Sequence, residues 1–191
     1  MPPVPALRTP RLLLRRFEES DEGWLTGILS DPEVRRLTLQ EALPPQQAAM
    51  VARIQGLAQR RHAYWVIEFE GTACGFICLG LMTAQFGPRG VYAGFELRRS
   101  FWNRGIATEA LQAVIEFVFA YYELREIRAT VVQGNAASVR VLEKAGLKRG
   151  GDCVLPGGKP GTWFVLDNPM APKRRNWRDQ ARYFWRLWRL A

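Results

Sequence analysis

Apolar positions change period along this chain. Val91-Tyr92-Ala93-Gly94-Phe95-Glu96-Leu97 is a short run rich in aromatic and β-favouring residues, whereas further on apolar residues fall at 107, 110, 111, 114, 115, 118 and 119. The first pattern reads as a strand, the second as a helix over 106–121 with one buried face. Residues 12–16 read as an earlier strand. Ser20 caps a predicted helix that runs to 29, where Asp31-Pro32 ends it, and Pro44-Pro45 opens another to about residue 61. Residues 64–69 and 74–82 read as a hairpin around Glu70-Gly71-Thr72. A buried strand follows at 127–132, then a helix that Asn135 caps and Gly146 ends as its C′ residue. Two further strands, 147–155 and 162–167, flank a Pro/Gly-rich turn. This alternation predicts a mixed α/β sheet flanked by helices, as one domain over 1–168.

Pro169 and Pro172 set off a tail with a different pattern. Over 173–191 the arginines 175, 178, 182, 186 and 189 gather on about 80° of helical arc, with Trp177, Phe184, Trp185 and Trp188 opposite. A basic amphipathic arm over 169–191 is expected. It holds +6 of the formal +9 charge, so the basicity belongs to the arm rather than the domain. Its tryptophan face calls for a partner: its own domain, a second subunit in a homodimer, or an anionic membrane surface. Nucleic acid is the least favoured partner.

At 191 residues and 48% hydrophobic content the chain is long enough for a real core. No run is long and apolar enough to span a bilayer, and the first ten residues lack the apolar centre of a signal peptide, so a cytoplasmic protein is expected, peripheral to the membrane if the arm binds lipid. Cys74 and Cys78 stand four apart on a predicted strand and are expected to share a face, with Cys153 remote. That spacing fits reduced core thiols rather than a zinc or redox motif. His62 is the only histidine, which leaves a Ser-His-Asp triad or a histidine metal site almost nothing to be built from. No metal is expected.

The chemistry centres on Trp102-Asn103-Arg104-Gly105-Ile106-Ala107-Thr108. A strand that turns through small residues into a helix leaves free backbone N–H groups at the positive pole of the helix dipole, which binds phosphate. The same arrangement also starts helices for packing reasons alone, and a second segment shifts the balance. Ile127-Arg128-Ala129-Thr130-Val131-Val132 leads into Asn135-Ala136-Ala137-Ser138, again at a helix start.

With Thr9-Pro10-Arg11-Leu12-Leu13-Leu14-Arg15 near the N-terminus, these segments resemble the GNAT superfamily of N-acetyltransferases. Phe101 to Ala110 and Asn135 to Gly146 look like its RimJ/RimL-type branch, and the resemblance spans about residues 7–167. It implies a splayed GNAT-like sheet, acetyl-CoA as acyl donor, and direct attack of an amine on the thioester. Carried over residue by residue, Phe95 and Leu97 supply backbone contacts to the pantetheine. Trp102, Asn103, Arg104, Gly105, Ile106, Ala107 and Thr108 form the pyrophosphate turn, Asn135 meets the pantetheine arm, and Lys144 meets the 3′-phosphate. Trp102 stands where many members have Gln or Arg, and Leu142 where the superfamily has a catalytic tyrosine.

That second departure favours Ser138 as the group that steadies the leaving thiolate, although Asn-x-x-Ser at a helix start also serves pure capping. Glu96 is the expected base, with partial burial raising its pKa, and Glu109 and Asp152 are its rivals. Gly157 stands where some ribosomal-protein acetyltransferases carry a general-base Glu, which counts against a ribosomal acceptor. An α-amine is about one-seventh neutral at pH 7, a lysine side chain only about 0.04%. A weak base therefore suits a protein N-terminus or a small-molecule amine of low pKa. The competing class is a non-catalytic acyl-CoA-binding or membrane-associated module on the same fold. A donor pocket with no carboxylate at its reacting end would favour it.

Overall fold

The computed structural model describes residues 4–38, 41–49, 51, 63–82, 90–122 and 124–171. The predicted arm at 173–191, His62 and most of the second predicted helix lie outside these residues, although 45–49 are helical as expected. The strands are β1 (Leu7–Arg8), β2 (Leu12–Arg15), β3 (Ala63–Phe69), β4 (Thr72–Met82), β5 (Gly90–Leu97), β6 (Glu126–Val132), β7 (Lys148–Val154) and β8 (Pro160–Asp167). They form one sheet in the order β1-β2-β3-β4-β5-β6-β8-β7. Helices α1 (Glu22–Ser30), α2 (Pro32–Arg36), α3 (Ile106–Tyr122) and α4 (Ala136–Lys144) flank it. Among the described residues, no helix is long and apolar enough to cross a membrane.

Period-2 alternation sorts the side chains between two faces. Val91, Ala93 and Leu97 of β5 and Ile127, Ala129 and Val131 of β6 pack on the buried stripe of α3, which includes Ala110, Leu111, Val114 and Val118. This is the main core. A smaller cluster of Leu25, Leu29 and Ala48, with Phe17, Trp24 and Phe76, lies where α1 meets the sheet.

The sheet opens at its centre. Its only parallel neighbours are β5 and β6, and the one registered pair between them is Tyr92 opposite Arg128. Every other neighbouring pair of strands is antiparallel. Beyond Tyr92 the two strands part, and a cavity lies between Phe95-Glu96 and 129–132.

Three local features depart from the sequence reading. Ser20 does not cap α1: it lies inside a short 3-10 turn, Glu19–Asp21, and the N-cap residue is Asp21. Asp31-Pro32 ends α1 but also starts α2: the Asp31 carboxylate accepts from the amides of Glu33 (2.8 Å) and Val34 (3.4 Å), with Pro32 in the first helical turn. Cys74 and Cys78 do not share a face. A register shift opposite Ile67/Glu68 marks a bulge in β4 at Cys74, so the period of two is broken there. Cys74 joins the main core, its thiol on the Ile67 carbonyl at 3.2 Å, while Cys78 faces the opposite cavity. Gly75 completes the bulge. A Cβ there would collide with the Glu96 carbonyl oxygen, so glycine lets β5 approach closely where it carries Glu96.

The approach to α1 is fixed by Asp21, which is 2% exposed. Arg15 holds it bidentately (Nη1 at 2.7 Å, Nη2 at 2.9 Å), Trp24 Nε1 donates at 2.7 Å and the Glu18 amide at 2.8 Å. Burial pushes its carboxyl up, but these hydrogen bonds outweigh burial and the net shift is down. A carboxyl depressed by folding gives stability that is complete above its unfolded value, about 3.9, and is lost as pH falls through the folded one. Urea unfolding of Asp21→Asn is therefore expected to show less acid sensitivity below about pH 4 than the parent. Parallel pH profiles for the two proteins would refute this.

Candidate active site

The turn from β5 to α3 has the shape its sequence implies. A single turn at Arg99–Phe101 follows β5, then Asn103 (φ 61) and Gly105 (φ 75) adopt left-handed backbone on either side of Arg104. Glu109 N–H donates to Gly105 O at 3.1 Å as the helix begins. The amides of Ile106, Ala107 and Thr108 therefore precede the first intrahelical donor, the Glu109 N–H, and have no acceptor within the helix. Trp102 is tied back to the strand, its indole N–H donating to Leu97 O at 2.8 Å.

This turn forms one end of a cavity of ≈ 280 Å³. Asn103, Gly105, Ile106, Ala107 and Thr108 line it, with Trp102, Phe95 and Leu97 on the β5 side and Asn135, Ser138 and Lys144 on the α4 side. Arg104 is not in its wall: its guanidinium lies over the Phe101 ring at 5.4 Å. Arg98 N–H donates to Cys74 O on β4 at 2.9 Å, and strand amides alternate sides, so Phe95 and Leu97 direct theirs toward the splay.

A second cavity, of ≈ 300 Å³, lies on the other side of the opening. Arg35, Tyr64, Cys78, Tyr92 and Thr130 line it. The two share Leu37, Thr38, Phe95, Glu96, Asn135 and Ser138 as a common wall. Among the described residues, Glu96 and Ser138 are thus the only carboxylate and the only serine common to both.

Glu96 has a partner that the sequence did not reveal. Arg35, 2% exposed, places Nη1 2.7 Å from Glu96 Oε2. Burial pushes the Glu96 carboxyl above its ordinary range, and Arg35 pulls part of that shift back. Burial and the Glu96 charge push the Cys78 thiol up to about 12, while burial, Cys78 and Glu96 push the Tyr64 hydroxyl up. Both stay neutral at ordinary pH and neither supplies a base. Asn135 acts first as a cap, its Oδ1 accepting from Ser138 N–H at 3.0 Å, while Nδ2 donates to Leu37 O at 2.9 Å. That bond ties α4 to the end of α2 across the opening.

The rival carboxylates are placed elsewhere. Glu109 lines neither cavity; burial raises it, but hydrogen bonds from Thr9 and Arg11 prevail and hold its carboxyl low. Asp152 is exposed and pairs with Arg149 at 2.6 Å. Sequence reasoning missed Arg35, Tyr64, Cys78 and Gly75. Only Gly75 carried a signal, as a glycine inside a strand. Among the described residues, no group of three or more His, Cys, Asp or Glu could hold a metal ion.

The central parallel pair thus opens between a left-handed turn with free helix-start amides and the half-buried Glu96 carboxylate, with a cavity on each side. Residues 11–148 match the acetyltransferase (GNAT) domain family. The uncharacterized N-acetyltransferase YoaA of Bacillus subtilis is 30% identical over 151 residues, covering 77% of this chain and 85% of YoaA. A GNAT-family acetyltransferase from Bacillus anthracis superposes with a TM-score of 0.73 at 22% identity, covering 86% of this chain and 99% of that one. RimL, the ribosomal L7/L12 α-N-protein acetyltransferase in complex with coenzyme A, superposes with a TM-score of 0.71 at 16% identity, covering 85% and 98%. This chain belongs to the GNAT acetyltransferase family. It is an acetyl-CoA-dependent N-acetyltransferase that uses an amine as acceptor.

Proposed function

We propose that the protein transfers acetyl from acetyl-CoA to the α-amine of a protein N-terminus, or to another compact amine of low pKa, with Glu96 and Ser138 as catalytic residues. The observation that carries this reading is the common wall, in which the donor and acceptor cavities share Glu96 and Ser138. A carboxylate at that junction also counts against a module that only binds acyl-CoA. The left-handed Gly105 backbone and the free amides of 106–108 suit a pyrophosphate, and the ≈ 280 Å³ cavity leads from them to the junction. Phe95 and Leu97 offer backbone groups along this path, while Lys144 supplies a cation at its wall and Asn135 lies near the reacting end.

In this reading Glu96 accepts a proton from the acceptor ammonium, and the neutral amine attacks the thioester carbonyl. The C–N bond forms and the C–S bond breaks. Ser138 hydrogen-bonds the departing sulfur and passes its own proton to it. In exchange it takes the proton that the attacking nitrogen releases as the tetrahedral adduct collapses, so the sulfur leaves as the thiol. The amine class rests on charge. The second cavity's described lining holds one carboxylate, Glu96, already paired with Arg35, so a polycation finds no ring of acidic groups. The two matched motif segments support the RimJ/RimL-type branch. The proposal that the 173–191 arm covers its tryptophans on its own domain, a second subunit or an anionic membrane rests on sequence pattern alone.

An acceptor panel read by free-thiol release tests the acceptor class. Short peptides with free N-termini and compact monoamines of low pKa are expected to turn over with kcat/KM roughly 350-fold above an Nα-blocked lysine peptide, following their neutral fractions. Turnover confined to lysine side chains or polycationic amines would overturn the assignment.

A further inference from the structure

A carboxylate outside both cavities gathers an unusual number of donors. Glu109, in the first turn of α3, accepts at Oε1 from Thr9 Oγ1 (2.6 Å) and the Arg11 amide (3.2 Å). Its Oε2 accepts from Arg11 Nε (2.8 Å) and Nη2 (2.6 Å). Thr9 is held in turn, its hydroxyl accepting from the Leu12 amide at 2.8 Å, where β1 turns into β2. The guanidinium of Arg11 then reaches one step further. Its Nη1 donates to Arg104 O at 3.1 Å.

That last bond falls at the most constrained peptide of the donor turn. Arg104 stands between two left-handed residues, Asn103 and Gly105, and Asn103 adopts this conformation without glycine's freedom. Such backbone persists where its surroundings over-determine it. A trans peptide is planar, so its C=O and the next residue's N–H point in opposite directions. Fixing Arg104 O on Arg11 therefore aims the Gly105 amide away from Arg11. Gly105 lines the donor cavity and Arg11 does not. The same guanidinium neutralises Glu109, whose bare charge would otherwise stand in the first turn of a helix that has to receive an anion.

We propose that Thr9, Arg11 and Glu109 form a clamp that positions the donor turn, with Arg11 as the residue that aims the Gly105 amide at the pyrophosphate. The β1–β2 hairpin, at the far edge of the sheet from β6, is then part of the acetyl-CoA site. This rests on the assignment of the Gly105 turn to the donor pyrophosphate.

Calorimetric titration of acetyl-CoA into Arg11→Met tests the clamp. Its Kd is expected to rise about tenfold, the usual size of a lost charge-assisted hydrogen bond in a binding turn. Glu109→Gln keeps only one acceptor oxygen, enough for Thr9 and the Arg11 amide or for the guanidinium but not both. It should lose less, because Arg11 itself remains to hold Arg104 O. Arg15→Ala, which breaks a similar ion-pair network touching neither cavity, serves as the structural control and should lower thermal stability while leaving the Kd in place. A second readout separates positioning from general damage: kcat/KM for acetyl-CoA should fall about tenfold further than kcat/KM for S-acetyl-N-acetylcysteamine, a thioester with no pyrophosphate. A wild-type Kd in Arg11→Met, or equal losses on the two donors, would overturn the clamp. If Gly105→Glu also binds acetyl-CoA normally, the donor-turn assignment itself fails; if it does not bind, only the clamp fails.

Discussion

Gly105→Glu is expected to weaken acetyl-CoA binding by about a hundredfold or more, with the fold intact. Three effects act in one direction. The residue has φ 75, a region that an L side chain occupies only with strain. A Cβ at Gly105 would stand 3.4 Å from Arg11 Nη2, so added bulk starts against the guanidinium that holds the turn. The new carboxylate also competes with Glu109 and Arg104 O for Arg11 and adds negative charge to a turn that has to receive an anion. About 3 kcal/mol of lost attraction corresponds to that hundredfold factor. Calorimetry on a variant whose circular dichroism matches the parent makes the measurement. An unchanged Kd would move the donor site elsewhere.

Glu96→Gln is expected to lower kcat about a hundredfold near neutral pH, within the usual range for a general base, with little effect on acetyl-CoA Kd. The deficit should shrink as pH rises, because the acceptor amine then loses its proton to solvent. Arg35 makes the prediction sharper. Glu96 has to be ionised to accept a proton, so activity is lost as pH falls through its folded pKa. Burial raises that value and Arg35 lowers it, so Arg35→Met should move the acid limb of kcat/KM to higher pH. The other titratable groups around Glu96, namely Tyr64, Cys78 and Tyr92, are all shifted upward and stay neutral over this range. A Glu96→Gln variant with parental kcat from about pH 6 to 9 would remove Glu96 from the mechanism, and an unmoved acid limb in Arg35→Met would remove Arg35's influence on it.

The proposed donor half of the site is built from contiguous residues, so its turn and helix starts were legible in the sequence. Helical period, small residues at 105 and 107, and the Asn135 cap each leave a local mark, and their geometry follows within a few residues. The acceptor half was not, because its contacts are made across the fold. Arg35 and Glu96 are 61 positions apart, and Arg35 is delivered by a helix of five residues, too short to show a period. The bulge at Cys74 left only one mark, Gly75 inside a predicted strand, and the near-continuous apolar run around it gives no alternation from which to read faces. It reverses the face of every later position in β4, and with it the fate of Cys78. Sheet order also escaped the sequence: β7 lies outside β8, an arrangement that strand propensities do not encode.

The single pair joining β5 to β6 has a mechanical consequence. A sheet spreads load through its ladder, and here the ladder is interrupted between β1–β5 and the β6-β8-β7 group. The interruption is a seam, and the two groups are the natural units of partial opening. What crosses the seam besides that pair includes α3, packed on both halves, and the Asn135–Leu37 bond. A donor lying along the ≈ 280 Å³ cavity would touch β5, the start of α3 and α4 at once, and so rivet the halves together. Amides of β6 and β8 would then exchange more slowly with deuterated solvent when acetyl-CoA is bound, including those it never contacts.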